Sequence, residues 1–100
     1  MEKHPVVISP VALDALLGVP SKEDAMRLRR RLEALSVAPL MGAVYDPAFE
    51  SARPPFEVRA TYAGHYGIYY TFDEETGTVH VAFIEDTRRD PKGRFSSGGA

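Results

Sequence analysis

FEVRATYAGHYGIYYTFDEETGTVHVAFIEDTRRD, residues Phe56 to Asp90, reads as three successive strands that end in a polar, arginine-bearing exit. The first sets Phe56, Val58, Ala60 and Tyr62 against Glu57, Arg59 and Thr61, a period of two that predicts a half-buried strand. The second, His65 to Asp73, alternates Tyr66, Ile68, Tyr70 and Phe72 against Gly67, Tyr69 and Thr71, and its β-branched and aromatic side chains suit a pleated surface. The third, Thr78 to Glu85, sets Val79, Val81 and Phe83 against His80, Ala82 and Ile84. Between the last two, Asp73 to Thr76 form a polar loop and Gly77 stands where a turn needs positive φ. Ala63-Gly64 is a shorter link still, so the three strands are expected to form an antiparallel meander.

Outward from the meander, the amino-terminal half carries helix signals after a short opening strand, Val6-Val7-Ile8. Ser9-Pro10 is an N-cap followed by proline at the first helical position, where a missing amide proton costs nothing. Leu13, Leu16 and Leu17 give this helix an apolar stripe, and Gly18 with Pro20 stops it. Ser21 and Asp24 then make an Asp variant of the capping box, predicting a second helix to about Ser36 with Ala25, Leu28, Leu32 and Leu35 on one side. Arg27, Arg30 and Arg31 project away from that side. The two helices form an αα-hairpin.

Residues 39–55 hold four prolines and little periodicity, and at that length the connection implies some order or function around Met41, Val44, Tyr45 and Phe49. Residues 93–100 have little to bury and are expected to fray, leaving one domain over residues 1–92. The resulting order, β-α-α-β-β-β, is an α+β fold in which a helical hairpin packs on a small antiparallel sheet.

Composition narrows the function. The chain has 100 residues, 44% of them hydrophobic, enough for one core that buries roughly 60–70% of the unfolded surface. It has no cysteine, which excludes disulfides, thiolate metal sites and a cysteine nucleophile. No apolar run approaches the roughly 20 residues of a membrane span, and Met1 to Pro5 lack the apolar region of a signal peptide, so a cytoplasmic protein is expected. A net charge of −2 argues against indiscriminate binding to nucleic acid. The charge is uneven, however: Asp73, Glu74, Glu75, Glu85 and Asp86 are acidic, whereas Arg88, Arg89, Lys92 and Arg94 make the tail basic.

Several groups bear chemistry and each has a structural alternative. His65 sits by the tight turn, His80 alternates with Ala82 and Ile84, and His4 is near a terminus expected to be mobile; the three lack metal-ligand spacing, so no metal is expected. Tyr62, Tyr66, Tyr69 and Tyr70 either stack on bases or pack in the core. Arg27, Arg29, Arg30 and Arg31 either bind phosphate or form a solvated helix face. No phosphate loop, hydrolase series or cofactor motif is present, so no cofactor is expected.

Two short stretches carry a family resemblance. Gly64-His65-Tyr66-Gly67-Ile68-Tyr69-Tyr70 resembles the Gly-Asp-Tyr-Arg-Val-Leu-Tyr pattern of the RelE/ParE superfamily, the toxins of type II toxin–antitoxin pairs. Ile84-Glu85-Asp86-Thr87-Arg88-Arg89-Asp90 is similar to that family's closing strand and its Gly-His-Arg-Arg-Asp signature, and the element order agrees. The resemblance implies an antitoxin partner and one of two activities, cleavage of ribosome-bound messenger RNA or poisoning of DNA gyrase. RNA cleavage needs cations against the developing phosphorane-like charge and a route for protons. The resemblance implies the charge role for Arg59 and matches Arg88 and Arg89 to the tail's paired arginines, which either grip phosphate or form a solvated strand end, while His65 is the candidate for the acid–base chemistry that histidine can supply. For Arg59 the alternative is a solvated arginine paired with Glu57 or Glu85. The chain departs from the pattern at Gly67, where arginine is usual, at Thr87, where histidine is frequent, and at Pro91-Lys92, where the tail often ends in tyrosine. Those departures leave a second reading open: a non-catalytic interaction module that keeps the fold and has lost the nuclease residues.

Overall fold

Ser9 shows how local chemistry ties the first helix to the sheet. In the computed structural model, which describes residues 3–46 and 54–88, its hydroxyl accepts from the Ala12 N–H at 3.0 Å and caps α1 (Pro10–Leu17). The same hydroxyl donates to the Ala82 carbonyl at 2.7 Å, and the Ser9 N–H donates to the Val81 carbonyl at 2.9 Å. One residue therefore satisfies an orphan helix donor and two groups of the last strand. Ser21 caps α2 (Lys22–Val37) by accepting from the Asp24 N–H at 3.2 Å, with Glu23 and Asp24 in the first turn as the helix dipole favours.

The strands are β1 (Val6–Ile8), β2 (Ala43–Val44), β3 (Arg59–Ala63), β4 (Tyr66–Asp73) and β5 (Thr78–Asp86). They form one sheet in the order β1-β5-β4-β3-β2. The meander β3–β4–β5 is antiparallel as expected, and Gly77 sits at φ 69° in its second turn. Two features extend the expected arrangement: β1 pairs parallel with β5, and the long connection contributes β2 as the opposite edge, antiparallel to β3. Phe56 to Val58, read as the start of a strand, precede β3 without joining the ladder. The fold is α+β. The expectation of a fraying tail lies outside the described residues.

Both helices cover one face of the sheet. Leu28, Leu32 and Leu35 of α2 and Ala12 and Leu16 of α1 bury against Ile68, Tyr70, Val79, Val81 and Ile84. Leu28 and Leu35 are fully buried, each contributing about 2 kcal/mol of transfer free energy. The stripe expected on α1 is rotated: Ala12 and Leu16 pack inward, while Leu13 and Leu17 are 41% and 68% exposed. On the opposite, open face Val58, Ala60, Tyr69 and Phe83 make a second cluster with Val11 and Tyr45.

A β-bulge decides which residues reach which face. The β4–β5 register runs Tyr69↔Phe83 and then Tyr70↔Val81, which leaves Ala82 as the extra residue. The strict alternation of Val79, Val81 and Phe83 is thereby broken: Val79, Val81 and Ile84 join the helix-side core and Phe83 turns to the open face. The Ala82 carbonyl freed by the bulge is the one that Ser9 holds.

Candidate functional site

Three side-chain groups position the residues that the sequence singles out. The first surrounds Arg59, whose register partner is Tyr70. Its guanidinium donates to the Gly42 carbonyl at 2.6 Å, while the Gly42 N–H donates to the Tyr70 hydroxyl at 3.0 Å. Both backbone groups of Gly42 are thus held from β3 and β4, which fixes the approach of β2. A side chain at Gly42 has no room, since a Cβ there would stand 2.6 Å from the Ala60 carbonyl oxygen. Burial raises the Tyr70 phenol above its usual value, against the opposing influence of the Gly42 bond and Arg59. Arg59 thus has a structural tie, to a backbone carbonyl rather than to the Glu57 or Glu85 carboxylate named as its alternative.

The second group gathers where the β3–β4 turn meets the exit of β5. The Thr87 N–H and hydroxyl each donate to the His65 carbonyl at 2.7 Å. The His65 ring packs on Tyr66 with centroids 4.4 Å apart. Its Nε2 is buried 3.8 Å from a carboxylate oxygen of Asp24, beyond hydrogen-bond reach. Opposite Tyr66 stands Asp86, which accepts the Arg88 backbone N–H at 2.9 Å and its guanidinium at 3.2 and 3.0 Å. This forked grip is the main reason the Asp86 carboxyl falls to about 2. The same pairing raises the Arg88 guanidinium. Burial first, then Asp86 and Asp24, push the Tyr66 phenol up.

The third group covers the open face. Tyr69 is fully buried, its ring 4.9 Å from that of Tyr45 and 6.5 Å from that of Tyr62 in edge-on contacts. It lies across Gly67: a Cβ at Gly67 would meet the Tyr69 hydroxyl oxygen at 2.5 Å and its ring carbons at 2.7 and 2.8 Å. Phe83 stacks with Phe56 on the same face at 6.2 Å. Gly67, where the resembled pattern carries arginine, is therefore a position closed by an aromatic ring.

His65 and Arg88 come together through Thr87 and Asp86, whereas Arg59 stands apart. Arg59 is opposite Tyr70 and Asp86 opposite Tyr66, a separation of about 13 Å along β4 at the usual rise per residue. Arg89 lies outside the described residues. Of the tyrosines, Tyr66, Tyr69 and Tyr70 are buried and Tyr62 is 47% exposed. His80 is exposed, and His4 is in contact with the sheet: its ring nitrogen bonds the Gly77 carbonyl at 2.9 Å and its ring meets Phe72 edge-on. Asp24 and Asp86 are members of the second group that the sequence reading missed. An aspartate at a strand exit is a residue that forms an Asx turn, and here the Asp86 carboxylate accepts the backbone N–H two residues on. No cluster of three metal-ligating side chains occurs among the described residues.

No protein-family model matches the chain, and no curated protein sequence matches it. Solved structures do. A chain of the archaeal RelE–RelB complex from Pyrococcus horikoshii matches with a TM-score of 0.68 at 14% identity, over 88% of this chain and 99% of that one. A chain of the toxin–antitoxin complex RelBE2 from Mycobacterium tuberculosis matches with a TM-score of 0.64 at 20% identity, covering 84% and 98%. This chain has the RelE fold. Free Escherichia coli toxin RelE carrying two arginine-to-alanine replacements matches with a TM-score of 0.55 at 13% identity, covering 86% of this chain and 84% of that one. On the RelE fold of this chain, β4 carries Gly67 under Tyr69, and the β5 exit carries an arginine already engaged by Asp86.

Proposed function

We propose that this chain is the toxin-like member of a type II toxin–antitoxin pair, held silent by a protein antitoxin in the cytoplasm, and that it acts by binding its target rather than by cutting messenger RNA. The observation that carries the first half is the fold, which spans nearly the full length of two chains solved in RelE–RelB-type complexes. The second half rests on the disposition of the cations. Cleavage needs several preorganised donors around one phosphate, yet Arg59 donates to the Gly42 carbonyl and lies far along the sheet from Arg88. Arg88 is paired with Asp86, which offsets part of the charge it can offer a phosphate. The open face around Gly67 is filled by Tyr69. Of the two activities the resemblance implies, inhibition of DNA gyrase requires only a binding surface and fits this arrangement better.

Induced expression tests the reading. Growth arrest is expected on induction alone, relieved by co-expression of the protein encoded by the adjacent gene, with altered plasmid supercoiling and intact transcripts. Normal growth at full soluble expression contradicts the toxin-like role and favours the non-catalytic module.

A further inference from the structure

At one border of the sheet β1 presents an edge with which no other strand pairs among the described residues. The Pro5 carbonyl accepts the Val79 N–H at 2.9 Å, and the Ser9 N–H donates to the Val81 carbonyl at 2.9 Å. With Val6 in register with Val79 and Ile8 with Val81, the backbone groups of Val7 also turn toward β5. Alternation therefore directs the N–H and C=O of Val6 and Ile8 outward, where they form a template for a further strand. The template is short. Pro5 has no N–H to donate and Pro10 already begins α1, so the edge is limited to the 3 residues of β1.

Both sides of this edge carry apolar surface. Val7 alternates onto the open face of the sheet and is 51% exposed. On the helix side, a groove of about 440 Å³ runs beside the strand, with Val6, Ile8, Leu16 and Leu32 in its walls. The two ends of the groove differ in charge. Where β1 starts, the His4 N–H donates to the Ser36 carbonyl at 2.6 Å and Lys3 pairs with the exposed carboxylate of Glu33. Arg29, about two turns earlier on α2, lines the same groove toward Ile8.

We propose that the free edge of β1 pairs with the same edge of a second copy of this chain, antiparallel about a two-fold axis through Val7. In that register Val6 of each copy lies opposite Ile8 of the other, and each such pair exchanges both backbone hydrogen bonds, so every outward group of both strands is satisfied. Val7 meets its own counterpart across the axis as the closely spaced, non-hydrogen-bonded pair. The axis reverses the order of charges along the groove, so the Arg29 end of one copy lies against the Glu33 end of the other. The match is self-complementary, as an isologous contact requires. A long strand from a different protein fits less well, because the prolines close the edge on both sides. The contact is independent of the toxin-like reading, and its small size makes it a reversible one.

Sedimentation velocity of the full chain over roughly 1 µM to 1 mM tests the proposal, with a shift from monomer to dimer expected in that range. Val7→Lys sets like charges opposite each other on the axis and should weaken the dimer about tenfold or more. Arg29→Glu or Glu33→Arg alone should weaken it about threefold, and the combined swap should return it to within about twofold of the wild type. Circular dichroism checks that each variant is folded. Hydrogen exchange supplies a local signature: the Val6 and Ile8 amides should slow as concentration rises, whereas the Val7 amide, already bonded within the sheet, should not change. A chain that stays monomeric throughout overturns the proposal. So does a dimer that is indifferent to Val7→Lys, or one whose Val6 and Ile8 amides exchange at the monomer's rate, since either places the contact elsewhere. A dimer weakened by both single charge changes but not restored by the swap overturns the register about Val7.

Discussion

Gly67→Ala tests the claim that an aromatic ring closes the position where the resembled pattern places arginine. A single added methyl group would stand 2.5 Å from the Tyr69 hydroxyl oxygen and 2.7 and 2.8 Å from two ring carbons, well inside contact distance. The ring has little freedom to withdraw, since Tyr69 is fully buried and packed edge-on against Tyr45 and Tyr62. Forcing extra volume into such a site costs about 1–3 kcal/mol. Replacing glycine within a strand returns about 0.5–1 kcal/mol through the unfolded chain, so the net loss is about 1–2 kcal/mol. For a domain of this size that is a fall in Tm of roughly 5–15 °C, read by thermal unfolding followed by circular dichroism. Gly67→Arg should lose at least as much. The causal link is checked by a double-mutant cycle: in a Tyr69→Leu background, Gly67→Ala should cost about 1 kcal/mol less than in the wild type. An unchanged or raised Tm for Gly67→Ala in the wild-type background refutes the reasoning, and the open face is then free to hold a longer side chain.

Tyr70→Phe leaves the buried Gly42 N–H without its acceptor and should cost about 1–3 kcal/mol in urea unfolding, with faster amide exchange at Gly42 as the local signature. Ser9→Ala removes both the cap of α1 and the donor to the bulge carbonyl of Ala82. It should therefore exceed the ~1 kcal/mol of an ordinary cap loss, and a smaller effect shows that the tie to the bulge contributes nothing. For Asp86, the folded carboxyl at about 2 lies below its ordinary 3.8. The stability it contributes is thus present above the ordinary value and lost as pH falls from about 4 through about 2. Because the Arg88 side chain is 68% exposed, that contribution should be no more than about 1 kcal/mol. Arg88→Ala should move the Asp86 titration, followed by carbonyl NMR, back toward the ordinary value.

Elements marked by local chemistry were legible in the sequence: Ser9-Pro10 and Ser21 placed both helix starts, and Gly64 and Gly77 placed both turns. Facing was harder, because it depends on neighbours remote in the chain. Alternation in β5 assigns Phe83 to the side of Val79 and Val81 until the bulge at Ala82 intervenes, and that bulge is held by Ser9, which is distant in sequence. Leu13 and Leu17 looked like core because they are large and apolar, yet α1 rests on the sheet through Ala12 and Leu16. At the site, the short stretches from Gly64 to Tyr70 and from Ile84 to Asp90 pointed to the RelE fold, because the turn and strand exit they form do meet in space. The roles of individual arginines were not legible. Whether a cation is free or engaged depends on partners such as the Gly42 carbonyl and Asp86, and only the folded chain brings Gly42 to Arg59.

The most direct test gives the purified chain two substrates side by side: ribosomes programmed with a short message, and DNA gyrase with relaxed plasmid. Binding without cutting predicts an intact message and inhibited supercoiling, relieved by the antitoxin. A message cut on the ribosome, with cleavage lost in Arg59→Ala or Arg88→Ala, contradicts the account and makes the chain a ribonuclease despite the closed position at Gly67.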